Sequence, residues 1–97
     1  MVTNKTSEAI ISAYKKPIIL ICGRTHPGEA PASFLVEGVL RSLLKCDTDA
    51  TVQKLLTLVE IHVVPMINPD GVIAGNSRVN MGGVDLNRKW GEKVLNE

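Results

Sequence analysis

The order of apolar patterns along the chain predicts an α/β fold. Three observations point to it: a β-branched run after Pro17 that is apolar on both faces, a stretch of helical period from Ala30 to Lys45, and a second β-branched run from Glu60 to Ile67. Strand, helix and strand in alternation imply a largely parallel sheet with a right-handed crossover. With 97 residues there is room for one small domain at most.

The first strand lies in Pro17-Ile18-Ile19-Leu20-Ile21-Cys22-Gly23. It shows no polar alternation, which predicts burial on both faces. Residues 1–16 are polar apart from Ala9-Ile10-Ile11 and read as an N-terminal arm or weak strand, leaving 17–97 as the domain proper. Arg24 to Glu29 form a polar loop with turn residues. In the helix, Leu35, Val39 and Leu43 share a stripe with Val36, Leu40 and Leu44, and Pro31 suits the first turn. Gly38 weakens this helix slightly or lets a neighbour pack closely. Cys46 to Asp49 form a loop whose Thr48 or Asp49 can cap a second short helix ending at Leu58.

The next strand is followed by Asn68-Pro69-Asp70-Gly71, a turn signal. An irregular polar stretch rich in glycine and asparagine then runs to Trp90. Both special loops follow the carboxyl ends of predicted strands, the edge at which open α/β sheets bind ligands.

Composition narrows the function. Hydrophobic residues make up 44% and charged residues 22%, a globular balance rather than a disordered one. Tyr14, Phe34 and Trp90 are the aromatics, so the core must be aliphatic. A formal net charge of +1 gives no electrostatic case for a nucleic-acid partner or an acidic membrane surface. No apolar run approaches the ~20 residues that span a bilayer. Cys22 and Cys46 stand alone, and residues 1–12 lack the pattern of a signal peptide. Both features suit a reducing, cytoplasmic location.

Two groups of residues can carry chemistry. His26 and Glu29, three apart across Pro27-Gly28, can reach one ion from a tight loop, and zinc accepts both imidazole nitrogen and carboxylate oxygen. The plainer alternative is a solvated histidine with Glu29 capping the helix that follows. The second group is Arg78 with Asp85, Asn87 and Arg88. Arginine offers a planar fork for a carboxylate or a developing oxyanion, and asparagine offers donor and acceptor. The plainer alternative is a surface loop with solvated arginines. His62 reads as a structural or exposed histidine, Cys22 as a small core residue, Lys15-Lys16 as solvated, and Trp90 as packed under its loop.

Four segments in order sharpen this picture. Gly23-Arg24-Thr25-His26-Pro27-Gly28-Glu29, Val64-Pro65-Met66-Ile67-Asn68-Pro69-Asp70-Gly71-Val72, Gly75-Asn76-Ser77-Arg78 and Gly83-Val84-Asp85-Leu86-Asn87-Arg88-Lys89-Trp90 resemble the zinc metallocarboxypeptidases. The wording is nearest to the cytosolic carboxypeptidase subfamily, whose members trim glutamates from tubulin and other proteins. The resemblance covers roughly residues 17 to 91.

It implies an α/β/α sandwich around a mixed, mainly parallel sheet, of which this chain holds the N-terminal part. It implies zinc, with His26 and Glu29 as the first two ligands and Asp85 as the carboxylate that orients the ligand histidine. Arg78 then polarises the scissile carbonyl, and Asn87 with Arg88 holds the substrate's terminal carboxylate. The implied partner is a peptide or protein C-terminus, tubulin tails among the candidates.

The family's third zinc ligand, a histidine, and its general base, a glutamate, lie downstream of anything matched here. His62 comes too early to be that histidine. The expectation is therefore a truncated catalytic domain, inactive alone. Two other readings are a non-catalytic remnant that binds C-terminal carboxylates, and an aspartoacylase-like zinc amidohydrolase, which shares His-x-x-Glu and an Asn-Arg pair. The Asp-Leu-Asn-Arg-Lys-Trp wording favours the carboxypeptidase.

Overall fold

A computed structural model describes residues 15–92. The expected arm at 1–16 therefore lies outside the described residues, save Lys15 and Lys16. Strand β1 (Ile18–Cys22) pairs in parallel with β2 (Glu60–Val64), from Ile18 opposite Glu60 to Cys22 opposite Val64. Helices α1 (Pro31–Leu43) and α2 (Ala50–Leu58) make the crossover between them. The predicted α/β order holds, and so does the parallel pairing.

Local chemistry sets the boundaries. Pro31 opens α1 in the position where a missing N–H goes unfelt. Asp49 caps α2, its Oδ1 accepting from Thr51 N–H at 2.9 Å and from Val52 N–H at 3.2 Å. Strand β2 stops at Val64 rather than Ile67, because Pro65 has no N–H to continue the ladder. Pairing nonetheless resumes beyond it. Ile67 N–H donates to Gly23 O at 3.0 Å and Asn68 N–H to Arg24 O at 3.2 Å. The two loops leaving the strands are thereby stitched to each other.

The Asn68-Pro69-Asp70-Gly71 turn is instead the start of helix α3 (Pro69–Ala74). Asn68 is its N-cap, with Oδ1 accepting from Gly71 N–H at 3.0 Å, and Asp70 stands in its first turn. The residue types that close a turn are those that open a helix, so local sequence could not separate the two.

Strand β1 departs from expectation. Ile18, Ile19 and Leu20 are 61%, 43% and 54% exposed, not buried. The sheet has two strands among the described residues, and of α1's apolar stripe only Val36 is buried, at 5% exposure. Val39, Leu40 and Leu43 are half-buried, whereas Leu35 and Leu44 face solvent. Cys22, expected in the core, is half-buried.

The buried residues lie elsewhere. Among the described residues, those buried besides Val36 are Gly23, His26, Pro27, Asn68 and Gly71. Close packing therefore peaks where the strand-exit loops meet, at the carboxyl end of the sheet.

Candidate active site

The loop after β1 is docked against two later segments. Pro27 is fully buried, and its ring rests on the first turn of α3: a Cβ on Gly71 would fall 2.6 Å from Pro27 Cγ. Gly28 N–H donates to Ser77 O at 2.9 Å, and a Cβ on Gly28 would lie 2.8 Å from that same oxygen. Glycine is required at both positions by the closeness of the approach. The Gly75–Arg78 segment and the His26 loop, far apart in sequence, are thus in backbone contact.

This docking gathers four of the expected side chains. His26, nearly buried, has Nδ1 3.1 Å from Glu29 Oε1 and Nε2 3.0 Å from Asp85 Oδ1. Arg78 Nε donates to Asp85 Oδ2 at 2.7 Å, and Asn87 N–H donates to Asp85 Oδ1 at 3.0 Å. Asp85 therefore joins the histidine to the arginine. Removal from water pushes its carboxyl pKa upward, but the hydrogen bonds from His26, Arg78 and Asn87 outweigh that and hold it at about 2, below the ordinary 3.8.

The rest of the predicted set behaves differently. Asn87 reaches the cluster through its backbone, while its side-chain Oδ1 accepts from Trp90 Nε1–H at 2.8 Å. Trp90 is exposed rather than packed under the loop, because none of the described residues covers it. The Arg88 side chain is exposed, and among the described residues its one hydrogen bond is to the Asn87 carbonyl, at 3.4 Å. His62 is exposed and pairs with Glu60 at 2.6 Å, away from the cluster. Glu29 does not cap α1: the N-cap is Ala30, with no side-chain hydrogen bond.

Several contributors carry no signal as isolated letters. Asn80 Oδ1 accepts from Gly82 N–H and Val84 N–H, both at 2.9 Å, folding the loop that brings Asp85 back toward Arg78. Asn76 Nδ2 donates to Val79 O at 3.1 Å inside the same loop. The Asn-Gly-Gly composition marked a turn but not which carboxylate it would deliver.

A metal suits this arrangement. Two donors bound to one zinc at about 2.0–2.2 Å lie about 3–3.5 Å apart, the spacing of His26 Nδ1 and Glu29 Oε1. A carboxylate on the histidine's other nitrogen is the usual companion of metal-bound imidazole. Among the described residues, no third His, Cys, Asp or Glu converges with these two as an ion site. Nor is any described helix long and apolar enough to cross a membrane.

Comparison with known proteins identifies the family. Over 90 residues, 93% of its length, the chain is 39% identical to cytosolic carboxypeptidase 1 of Danio rerio and to cytosolic carboxypeptidase 6 of Mus musculus. It spans only 8% and 16% of those proteins. The metallo-carboxypeptidase of Burkholderia cenocepacia superposes with a TM-score of 0.72 at 41% identity, covering 77% of this chain and 21% of that one. A family profile described as zinc carboxypeptidase matches residues 2–97, nearly end to end, and the chain belongs to that family.

Proposed function

We propose that this chain contributes to the active site of a zinc carboxypeptidase that removes residues from protein C-termini. The observation that carries this reading is that both ring nitrogens of His26 face carboxylate oxygens, at 3.1 and 3.0 Å. A neutral imidazole has one N–H and can satisfy only one of them. With the proton on Nε2 toward Asp85, the Nδ1 lone pair confronts Glu29 Oε1, and a cation between them resolves the opposition. A second ring proton would also do so. The zinc titration below distinguishes the two.

In this reading His26 Nδ1 and Glu29 hold the zinc. Zinc so bound supplies Lewis-acid polarisation of a carbonyl and of a water. Asp85 keeps the His26 proton on Nε2. Arg78 commits Nε to Asp85, and its terminal N–H groups make no hydrogen bond to the described residues, so they can donate to a peptide carbonyl as negative charge develops there. Asn87 and Arg88 hold the substrate's terminal carboxylate, and the exposed Arg88 fork suits that pairing. The resemblance to cytosolic carboxypeptidases extends the proposal to glutamates on protein tails, tubulin tails among them, and to a cytosolic setting.

Zinc titration against a chromophoric chelator tests the core of this. The 97-residue chain should bind one zinc weakly, since two ligands fall short of the three that catalytic sites usually draw from protein. His26→Ala and Glu29→Ala should each abolish binding. Unchanged binding in both would refute the site. Release of glutamate from a polyglutamate-tailed peptide should stay at the blank level for this chain alone.

A further inference from the structure

We propose that Arg24 is a positioning residue for the metal loop, clamping the middle one of the three peptide units that separate the two ligands. This rests on the reading of His26 and Glu29 as ligands. Between them runs the Pro27–Gly28 peptide, and both of its polar groups are held. Its carbonyl accepts two hydrogen bonds from the Arg24 guanidinium, Nε at 2.9 Å and Nη2 at 2.6 Å. Its N–H donates to Ser77 O at 2.9 Å. The third arm of the fork, Nη1, donates to Ser33 Oγ at 3.0 Å in the first turn of α1. Arg24 thus ties the loop to the helix it enters.

The backbone of Arg24 points to the same role. Its φ is +50°, the left-handed region, and it is the sole non-glycine residue there among those described. A side chain at such a φ is strained and persists where its surroundings over-determine it. Here the surroundings are the Arg24 carbonyl, bonded to Asn68 N–H at 3.2 Å, and the three side-chain contacts. Glycine would adopt this φ without strain but could not hold the Pro27 carbonyl. A planar fork satisfies one carbonyl twice and a hydroxyl once, whereas an ammonium on a flexible stem cannot reproduce that geometry.

The experiment combines hydrogen–deuterium exchange, at low micromolar concentration, with zinc titration of the full chain, in wild type, Arg24→Ala, Arg24→Lys and His26→Ala. Arg24→Ala should speed exchange across Thr25–Ala30 and weaken zinc binding about tenfold or more, the scale seen when groups supporting metal ligands are lost. Exchange across Ile18–Cys22 should not change. Arg24→Lys keeps the charge and loses the fork, so it should retain most of the defect. Full rescue by lysine would overturn the clamp in favour of a simple charge effect. Unchanged loop exchange, or faster loop exchange with unchanged zinc affinity, would also overturn it. If wild type and His26→Ala handle zinc alike, the ligand reading fails, and loop exchange still decides whether Arg24 holds the peptide. If Arg24→Ala loosens β1 as well, Arg24→Lys becomes the deciding variant, and normal loop exchange there refutes the clamp.

Discussion

At the scale of single residues, Asp85 does the most. It accepts from an imidazole, a guanidinium and a backbone amide at once. Its pKa is lowered in the folded chain, so the unfolded state binds protons more readily as acid is added. The stability it contributes is fully present above its unfolded value of 3.8 and is lost as pH falls toward about 2. Exchange of the 76–88 loop, corrected for intrinsic rates, should therefore accelerate over that window. Asp85→Asn should exchange fast already at neutral pH and change little below it. Equal acid sensitivity in both proteins would show that another group governs the loop. Asp85 stood out in the sequence as one of a polar group with Arg78, Asn87 and Arg88, and its role beside the histidine came only from the resemblance to the family. Local spacing gave no pairing with His26, which lies in a loop 59 residues earlier; the resemblance alone implied it.

Among the elements, two helical glycines make opposite predictions. Gly38 lies within α1 with nothing within 4 Å of an added Cβ, so Gly38→Ala should stabilise the helix by about 0.5–1 kcal/mol. Gly71 lies within α3, where propensity alone predicts the same sign. An added Cβ there meets Pro27 Cγ at 2.6 Å and both Asn68 side-chain polar atoms at 2.8 Å. Gly71→Ala should therefore push the His26–Glu29 loop away, costing about 1–3 kcal/mol as overpacking does. Helix signal by circular dichroism should rise for Gly38→Ala, and zinc affinity should fall for Gly71→Ala. A gain in both measures for Gly71→Ala would show that the loop does not rest on α3. The capping of α2 by Asp49 was legible as a local pattern. The start of α3 was not, since Asn-Pro-Asp-Gly serves turns and helices alike.

For the whole molecule, the notable feature is where burial is not. The first half of β1 and the start of α1 expose Ile18, Ile19, Leu20, Phe34 and Leu35, large apolar side chains of the kind that mark an unburied surface. The chain should bind a hydrophobic dye strongly at micromolar concentration, and Phe34→Ser with Leu35→Ser should lower that signal. Dye fluorescence at the level of a well-folded control would contradict the exposure. The apolar run of β1 was legible, and its expected burial did not follow, because burial requires covering layers that a strand cannot specify about itself.

The chain's order of elements, the Asp49 cap of α2 and its candidate donors were decided locally, since helix period, β-branched runs and capping residues act within a few positions. Which donors meet was decided only by the fold. Parallel pairing of β1 with β2 puts both exit loops at one edge, and the bonds from Gly28 to Ser77 and from Asn68 to Arg24 bring them into contact. That closure makes His26, Asp85 and Arg78 neighbours. It also leaves Arg88 outside, because one turn of 3-10 helix at Leu86–Arg88 carries that side chain into solvent while Asp85 stays within reach of His26.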